Sequence, residues 1–154
     1  MVKPDKLFSL LSKKGLTFYT GVPCSIFKDL IICLNRNQKV QHLRATSEGE
    51  GIGLAAGYYL ATKKIPIVYM QNSGLGNAVN PLTSLADKEV YSIPMLLFIS
   101  WRGEPGVKDE PQHKKMGRVM LSLLDVLEIP YKIVDPSRIG QQVTSLVALA
   151  KKRQ

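Results

Sequence analysis

The sequence has little that could hold a metal, staple a scaffold or enter a membrane. It contains two cysteines, Cys24 and Cys33, nine positions apart. With no histidine or further cysteine at ligand spacing beside them, they do not form a zinc pattern, and two thiols are too few for a disulfide framework. They read as reduced, mostly buried thiols. No apolar run approaches the roughly 20 residues that span a bilayer. The first residues mix Lys3, Asp5 and Lys6 among Leu7, Leu10 and Leu11. That pattern lacks the unbroken apolar core and small-residue cleavage site of a signal peptide, so a cytoplasmic chain is expected. No Walker phosphate loop, internal repeat or low-complexity linker occurs.

What is present is an ordinary globular composition in 154 residues, 45% apolar and 21% charged. That length implies one domain, residues 1–154, able to bury a single sizeable core. The net charge of +9 is compatible with a nucleic acid, a membrane surface, an acidic partner or an anionic substrate. The basic residues are dispersed, however, in Lys13-Lys14, Lys63-Lys64, Lys114-Lys115 and the tail Lys151-Lys152-Arg153. None is interleaved with aromatics, and no nucleic-acid module signature accompanies them, so neither nucleic acid nor membrane is expected as a partner.

Short β-rich runs alternate with helical patterns. Helices are expected at about Pro4–Lys14, Ser25–Leu34, Thr46–Thr62, Asn77–Ala86, His113–Leu127 and Ser137–Lys152, the last with Ser137 as N-cap. Strands are expected at Thr17–Thr20, Val40–Arg44, Ile65–Met70, Pro94–Ser100 and Tyr131–Val134, with a loop over Trp101–Gln112. The alternation implies an α/β fold: an open, mostly parallel sheet with helices on both faces. The third helix is rich in Gly51, Gly53, Ala55, Ala56, Gly57 and Ala61. Each helical glycine costs roughly 1 kcal/mol relative to alanine, which calls for close packing against a helix or ligand.

Ligands of open parallel sheets bind beyond the carboxyl ends of the strands. Four such ends carry function-capable residues: Gly21-Val22-Pro23, Thr46-Ser47-Glu48, Gln71-Asn72-Ser73-Gly74 and Trp101-Arg102-Gly103. Turn chemistry alone explains any one of them. Four along one edge, with a carboxylate among them, point to a site. Glu48 at a helix start is either a cap favoured by the dipole or a buried carboxylate that bonds a ligand nitrogen, its pKa raised by that burial; Glu50 could cap equally well. Gly74-Leu75-Gly76 lacks the third glycine of a dinucleotide fingerprint, Val79 standing there instead, and it follows the third strand rather than the first. Nothing else in the chain is a clear diphosphate site. His113 enters a helix from a charged loop, where it is either exposed or a proton shuttle near neutral pH. His42, within a strand, reads as structural.

The run Thr46-Ser47-Glu48-Gly49-Glu50-Gly51-Ile52-Gly53-Leu54-Ala55-Ala56-Gly57-Tyr58 resembles the glutamate motif of the pyrimidine-binding domain of thiamine-diphosphate enzymes. Met70–Asn77 and Trp101–His113 resemble one branch of them, the phosphonopyruvate decarboxylases and sulfopyruvate decarboxylase α subunits. That resemblance implies the thiamine-diphosphate-binding fold and decarboxylation of 3-phosphonopyruvate or 3-sulfopyruvate. It implies that Glu48 bonds N1′ of the cofactor's aminopyrimidine and that His113 donates a proton or anchors substrate. Gly21, Val22, Pro23, Asn72, Ser73 and Gly74 would approach the cofactor. Arg102, Lys108 and Lys114 would meet the extra phosphonate or sulfonate charge. Full-length members also carry a Gly-Asp-Gly…Asn motif for Mg²⁺ and the diphosphate, which is missing here. The expectation is therefore an α subunit with no metal ligand of its own. A separate β subunit would hold the diphosphate and Mg²⁺, and copies of the α chain would also touch one another. The alternatives are another 2-keto acid reaction of the same cofactor, such as carboligation, and a non-catalytic α/β binding module.

Overall fold

In the computed structural model, which describes residues 4–152, four short strands run parallel: β1 (Phe18–Gly21), β2 (Gln41–Arg44), β3 (Ile67–Gln71) and β4 (Leu96–Ser100). Arg153 of the basic tail lies outside the described residues. The strand order is β2-β1-β3-β4. In register, Tyr19 pairs with His42 on one side and Ile67 on the other, and Gln71 pairs with Ser100. The chain leaves β1 toward β2 and then returns past β1 to β3. The topological switch point therefore lies between β1 and β3.

Alternate residues of each strand face opposite ways, and both faces are covered. Tyr19, Ile67 and Tyr69 pack with Leu11, Leu30, Leu34, Val143 and Val147. Those residues come from α1 (Pro4–Lys13), α2 (Lys28–Arg36) and α6 (Ile139–Lys152). On the other face Val68 and Met70 pack with Ile52, Ala55, Leu75, Ala78, Met120 and Leu124. These lie on α3 (Glu48–Thr62), α4 (Leu75–Pro81) and α5 (Lys114–Val126). Burying each such large aliphatic side chain contributes roughly 1.5–3 kcal/mol. The expected fold class is the one observed, and no helix of the described residues is long and apolar enough to cross a membrane.

Four local expectations need correction. Ser25–Phe27 form a 3-10 turn before α2 begins at Lys28. The helix toward Ala86 starts as a 3-10 turn at Asn72–Gly74 and ends in a π-helical turn, Leu82–Ala86, just after Pro81. Tyr131–Val134 is not a strand. Gln142 of α6 occupies that backbone instead: its Nε2 donates to the Ile133 carbonyl at 2.8 Å, and the Asp135 N–H donates to its Oε1 at 3.0 Å. Beside β4 this leaves an apolar cavity of about 640 Å³, lined in part by Phe98, Leu124, Tyr131 and Leu146. Ser137 caps no helix among the described residues; its hydroxyl donates to Asp135 Oδ1 at 2.6 Å within a turn. Both cysteines are free and half-buried.

His42 is structural, as its strand position suggests. Its Nδ1 meets Asn35 Oδ1 at 2.9 Å and its Nε2 meets the Tyr69 hydroxyl at 2.8 Å. Burial, with Arg44 nearby, lowers its pKa from the ordinary 6.5; burial also pushes the Tyr69 phenol up to about 12. Between the lowered folded value and 6.5 the unfolded chain binds the extra proton, so stability rises with pH across that window. We expect the urea midpoint of the wild-type chain to fall as pH drops from 7 through 6.5 and below. In His42→Gln that part of the slope should vanish. An unchanged pH dependence in the variant would refute the assignment.

Candidate functional site

The carboxyl ends of β1 and β3 and the start of α3 converge at the switch point. Gly21, the last residue of β1, has φ +145° and would drive a Cβ into the Tyr69 backbone. Only glycine fits there. Gly51 of α3 sits over Gly21: its Cβ position is 3.5 Å from the Gly21 Cα. The first turn of α3 thus lies against the end of β1, and its acidic residues divide the work. Ser47 is the N-cap, accepting the Glu50 N–H at 3.2 Å. Glu50 reaches back to Thr46, whose N–H and hydroxyl both donate to Oε2, the hydroxyl at 2.6 Å. Those bonds lower the Glu50 pKa, and the arrangement is a variant of the capping box in which the return bond goes to the residue before the N-cap. Ser47 and Glu50 together close the helix start, and Glu48 is left for other work.

Glu48 is half-buried. Its Oε2 accepts the Asn77 side-chain N–H at 2.9 Å. Its Oε1 makes no hydrogen bond within the described residues and lies where a Cβ on Gly74 would be. Gly74 is itself buried, at the end of the 3-10 turn that follows β3. The glycine expected to approach a cofactor therefore touches the expected catalytic carboxylate directly.

Its neighbours differ. Asn72 is 1% exposed and is a clamp: it donates to the Arg102 carbonyl at 2.7 Å and accepts the Arg102 N–H at 3.2 Å. Both ends of its amide are thus used in holding the β3 and β4 exits together. Ser73 is exposed and accepts from Gln71 Nε2 at 2.7 Å. Val22 is half-buried and Pro23 exposed, just beyond Gly21.

A second cluster forms beyond β4. Gly103 takes φ +69°, and a Cβ on Gly117 would strike the Gly103 carbonyl, so two backbones touch there. Trp101 Nε1 donates to the Gly117 carbonyl at 2.8 Å. Asp109 receives Arg102 through Nε and NH2 at 2.8 and 2.6 Å. It also accepts the Gly103 and Glu110 N–H groups and pairs with His113 Nδ1 at 2.9 Å. Arg102 first, then His113, holds the Asp109 carboxyl far below the usual carboxylate range. Arg102 is correspondingly raised by Asp109, and its NH1 donates to Ser25 at 3.2 Å. Arg102 is thus largely committed inside the chain, whereas Lys108 and Lys114 are exposed. His113 is not the exposed residue that its charged surroundings suggest: its side chain is 15% exposed.

Asn77 and Asp109 have no place in the expected site. Asn77 stands in a glycine-rich turn whose composition marks only a turn. Asp109 stands four residues before His113, a spacing that could have flagged the pair.

The family model described as thiamine pyrophosphate enzyme, N-terminal TPP binding domain, matches residues 4–125. Phosphonopyruvate decarboxylase of Streptomyces viridochromogenes is 40% identical over 134 residues, covering 87% of this chain and 33% of that protein. Sulfopyruvate decarboxylase subunit alpha of Methanococcus maripaludis is 40% identical over 127 residues, 82% of this chain and 74% of that one. The corresponding subunit of Methanocaldococcus jannaschii is 40% identical over 132 residues, 84% of this chain and 75% of that one. The chain thus spans a third of the first relative and three quarters of the other two. Among solved structures, benzoylformate decarboxylase from Polynucleobacter necessarius superposes with a TM-score of 0.73 at 18% identity, over 95% of this chain and 27% of that one. That likeness is one of fold.

Two glycine substitutions should separate site from scaffold. Gly117→Ala meets fixed backbone and should cost about 1–3 kcal/mol of unfolding free energy in urea. Gly74→Ala meets only the Glu48 side chain, which can turn aside at the loss of its Asn77 bond, and should cost less, about 1 kcal/mol, while displacing that carboxylate. Equal losses would contradict this division.

Proposed function

The chain belongs to the thiamine pyrophosphate enzyme N-terminal TPP-binding domain family, and from that premise we propose that it is the α subunit of a split thiamine-diphosphate-dependent 2-keto acid decarboxylase. Its substrate is 3-phosphonopyruvate or 3-sulfopyruvate, and the products are CO₂ and the corresponding aldehyde. The observation that carries the proposal is Glu48: a carboxylate at a helix start, at the topological switch point, with Oε1 free against a residue that has no Cβ. That donor set fits an aminopyrimidine, whose ring nitrogen needs an acceptor able to hold a proton. The cofactor, when bound, supplies a thiazolium carbon that adds to the keto carbon and accepts the electron pair released with CO₂.

This chain's residues bind and orient. Glu48 Oε1 holds the proton at the pyrimidine N1′ while Asn77 fixes Oε2 and thereby the plane of the carboxylate. Gly21, Val22 and Pro23 would form the floor beyond β1, and Gly74 leaves room for the Glu48 carboxylate that would meet the ring. Asn72 acts one step back, by keeping the β3 and β4 exits in register, and Ser73 stands exposed at the rim. Lys108 and Lys114 supply positive charge for the phosphonate or sulfonate. Arg102 stands behind them, with most of its charge matched by Asp109.

The diphosphate and Mg²⁺ belong to a β subunit in this reading. Support comes from the relatives of similar length, which are named as α subunits. On α3, Gly53 and Gly57 face open space. Their cost in helix propensity has no return within the chain and fits a backbone approaching from a partner.

The purified chain should release no CO₂ from either keto acid. Adding a diphosphate-binding β chain, thiamine diphosphate and Mg²⁺ should restore release, with one of the two substrates preferred over pyruvate by at least about tenfold, the equivalent of one lost charge contact. Full activity of the chain alone would overturn the split site. Carboligation without net CO₂ release in steady-state assays would transfer it to a different reaction.

A further inference from the structure

Asp109 is the most heavily bonded side chain of the described residues. Five donors converge on its two oxygens: Arg102 Nε and NH2, the Gly103 and Glu110 N–H groups, and His113 Nδ1. Its side chain is only 13% exposed. A carboxylate so surrounded stays ionised and can only accept. The proton between it and His113 must therefore sit on Nδ1. In neutral His113 the lone pair is then on Nε2, and Nε2 has no hydrogen-bond partner within the described residues. The backbone contact of Gly103 with Gly117 and the 3-10 turn Pro111–His113 fix the distance from β4 to α5. This leaves the imidazole one well-defined seat.

We propose that Asp109 is the positioning residue that presents His113 as the Nδ1–H tautomer, so that Nε2 takes a proton from, or returns one to, the bound substrate. The proposal rests on the decarboxylase reading above and adds to it a residue that never touches substrate. Arg102 holds Asp109 in place, and Asp109 holds the ring. A histidine held this way exchanges a proton at one nitrogen only, because the other remains bonded to a carboxylate in both charge states.

The chain has two histidines, so His42→Gln leaves a single imidazole for ¹⁵N-histidine NMR. In that background, long-range proton–nitrogen correlations at a pH where the ring is neutral should show His113 as the Nδ1–H tautomer. Asp109→Asn, which sets an amide N–H among the donors, should shift it toward Nε2–H or a mixture. In the reconstituted complex, Asp109→Asn and His113→Gln should each lower kcat by about 10²–10⁴. KM should stay within about threefold for each, and the double variant should be no slower than the worse single. An Nε2–H tautomer in the chain that retains Asp109 overturns the proposal whatever the activity, and needs no variant of Asp109 to fold. Additive losses in kcat, or a shifted tautomer with kcat unmoved, also overturn it. An inactive wild-type complex would remove the decarboxylase reading, and with it the proton-transfer half; the tautomer would still report the pairing.

Discussion

The approach of Glu48 to Gly74 is the contact on which the site depends. It joins the start of α3 to the turn after β3, two segments that the sheet order brings to the same switch point. The approach depends on missing side-chain bulk at two places: Gly21 lets β1 end against the Tyr69 backbone, and Gly74 leaves room for the carboxylate. A β-carbon at Gly21 would push β1 away from β3, and one at Gly74 would move the carboxylate itself.

Three carboxylates near this edge show how surroundings assign roles to one functional group. Glu50 is tied to Thr46 and closes the helix start. Asp109 is saturated by five donors and fixes a loop. Glu48 has one oxygen bonded and one free. Glu50 spends its bonded oxygen on Thr46 and turns out to solvent, whereas Glu48 is half-buried at the switch point with an unused acceptor there, and that difference separates a group placed for a ligand from one that closes a helix and one that orients its neighbours. The same logic divides the cations. Arg102 is bound to Asp109, while Lys108 and Lys114 are exposed.

The sequence displays periodicity, so the parts of the fold that follow from periodicity were legible. The buried run ending in Met70, the helical spacing of α1 and α5, and the polar turns after the strands lie close to where the pattern puts them. What the pattern does not display is which side chain spends its hydrogen bonds where. Tyr131–Val134 has strand composition, yet Gln142, from a helix further along the chain, holds its backbone. Asn72 has the composition of a turn residue and is a clamp on a residue 30 positions away. Arg102 looks free in the sequence because its partner's role depends on the fold of the intervening loop. Glu48 was legible as a candidate through its motif, whereas its exemption from capping became visible only once Glu50 was seen bonded to Thr46.

The central claim is that Glu48 of this chain controls the proton at the far end of a cofactor whose charged end is held elsewhere. The most direct measurement is the exchange of the thiazolium C2 proton for deuterium, followed by quenched-flow NMR on the complex reconstituted with a diphosphate-binding β chain. With wild-type chain, exchange should be faster than in the free cofactor by orders of magnitude, and Glu48→Gln should lose most of that gain, about 10²–10⁴-fold, while the complex still assembles. Exchange at the wild-type rate in Glu48→Gln would contradict the claim and move the role to another carboxylate.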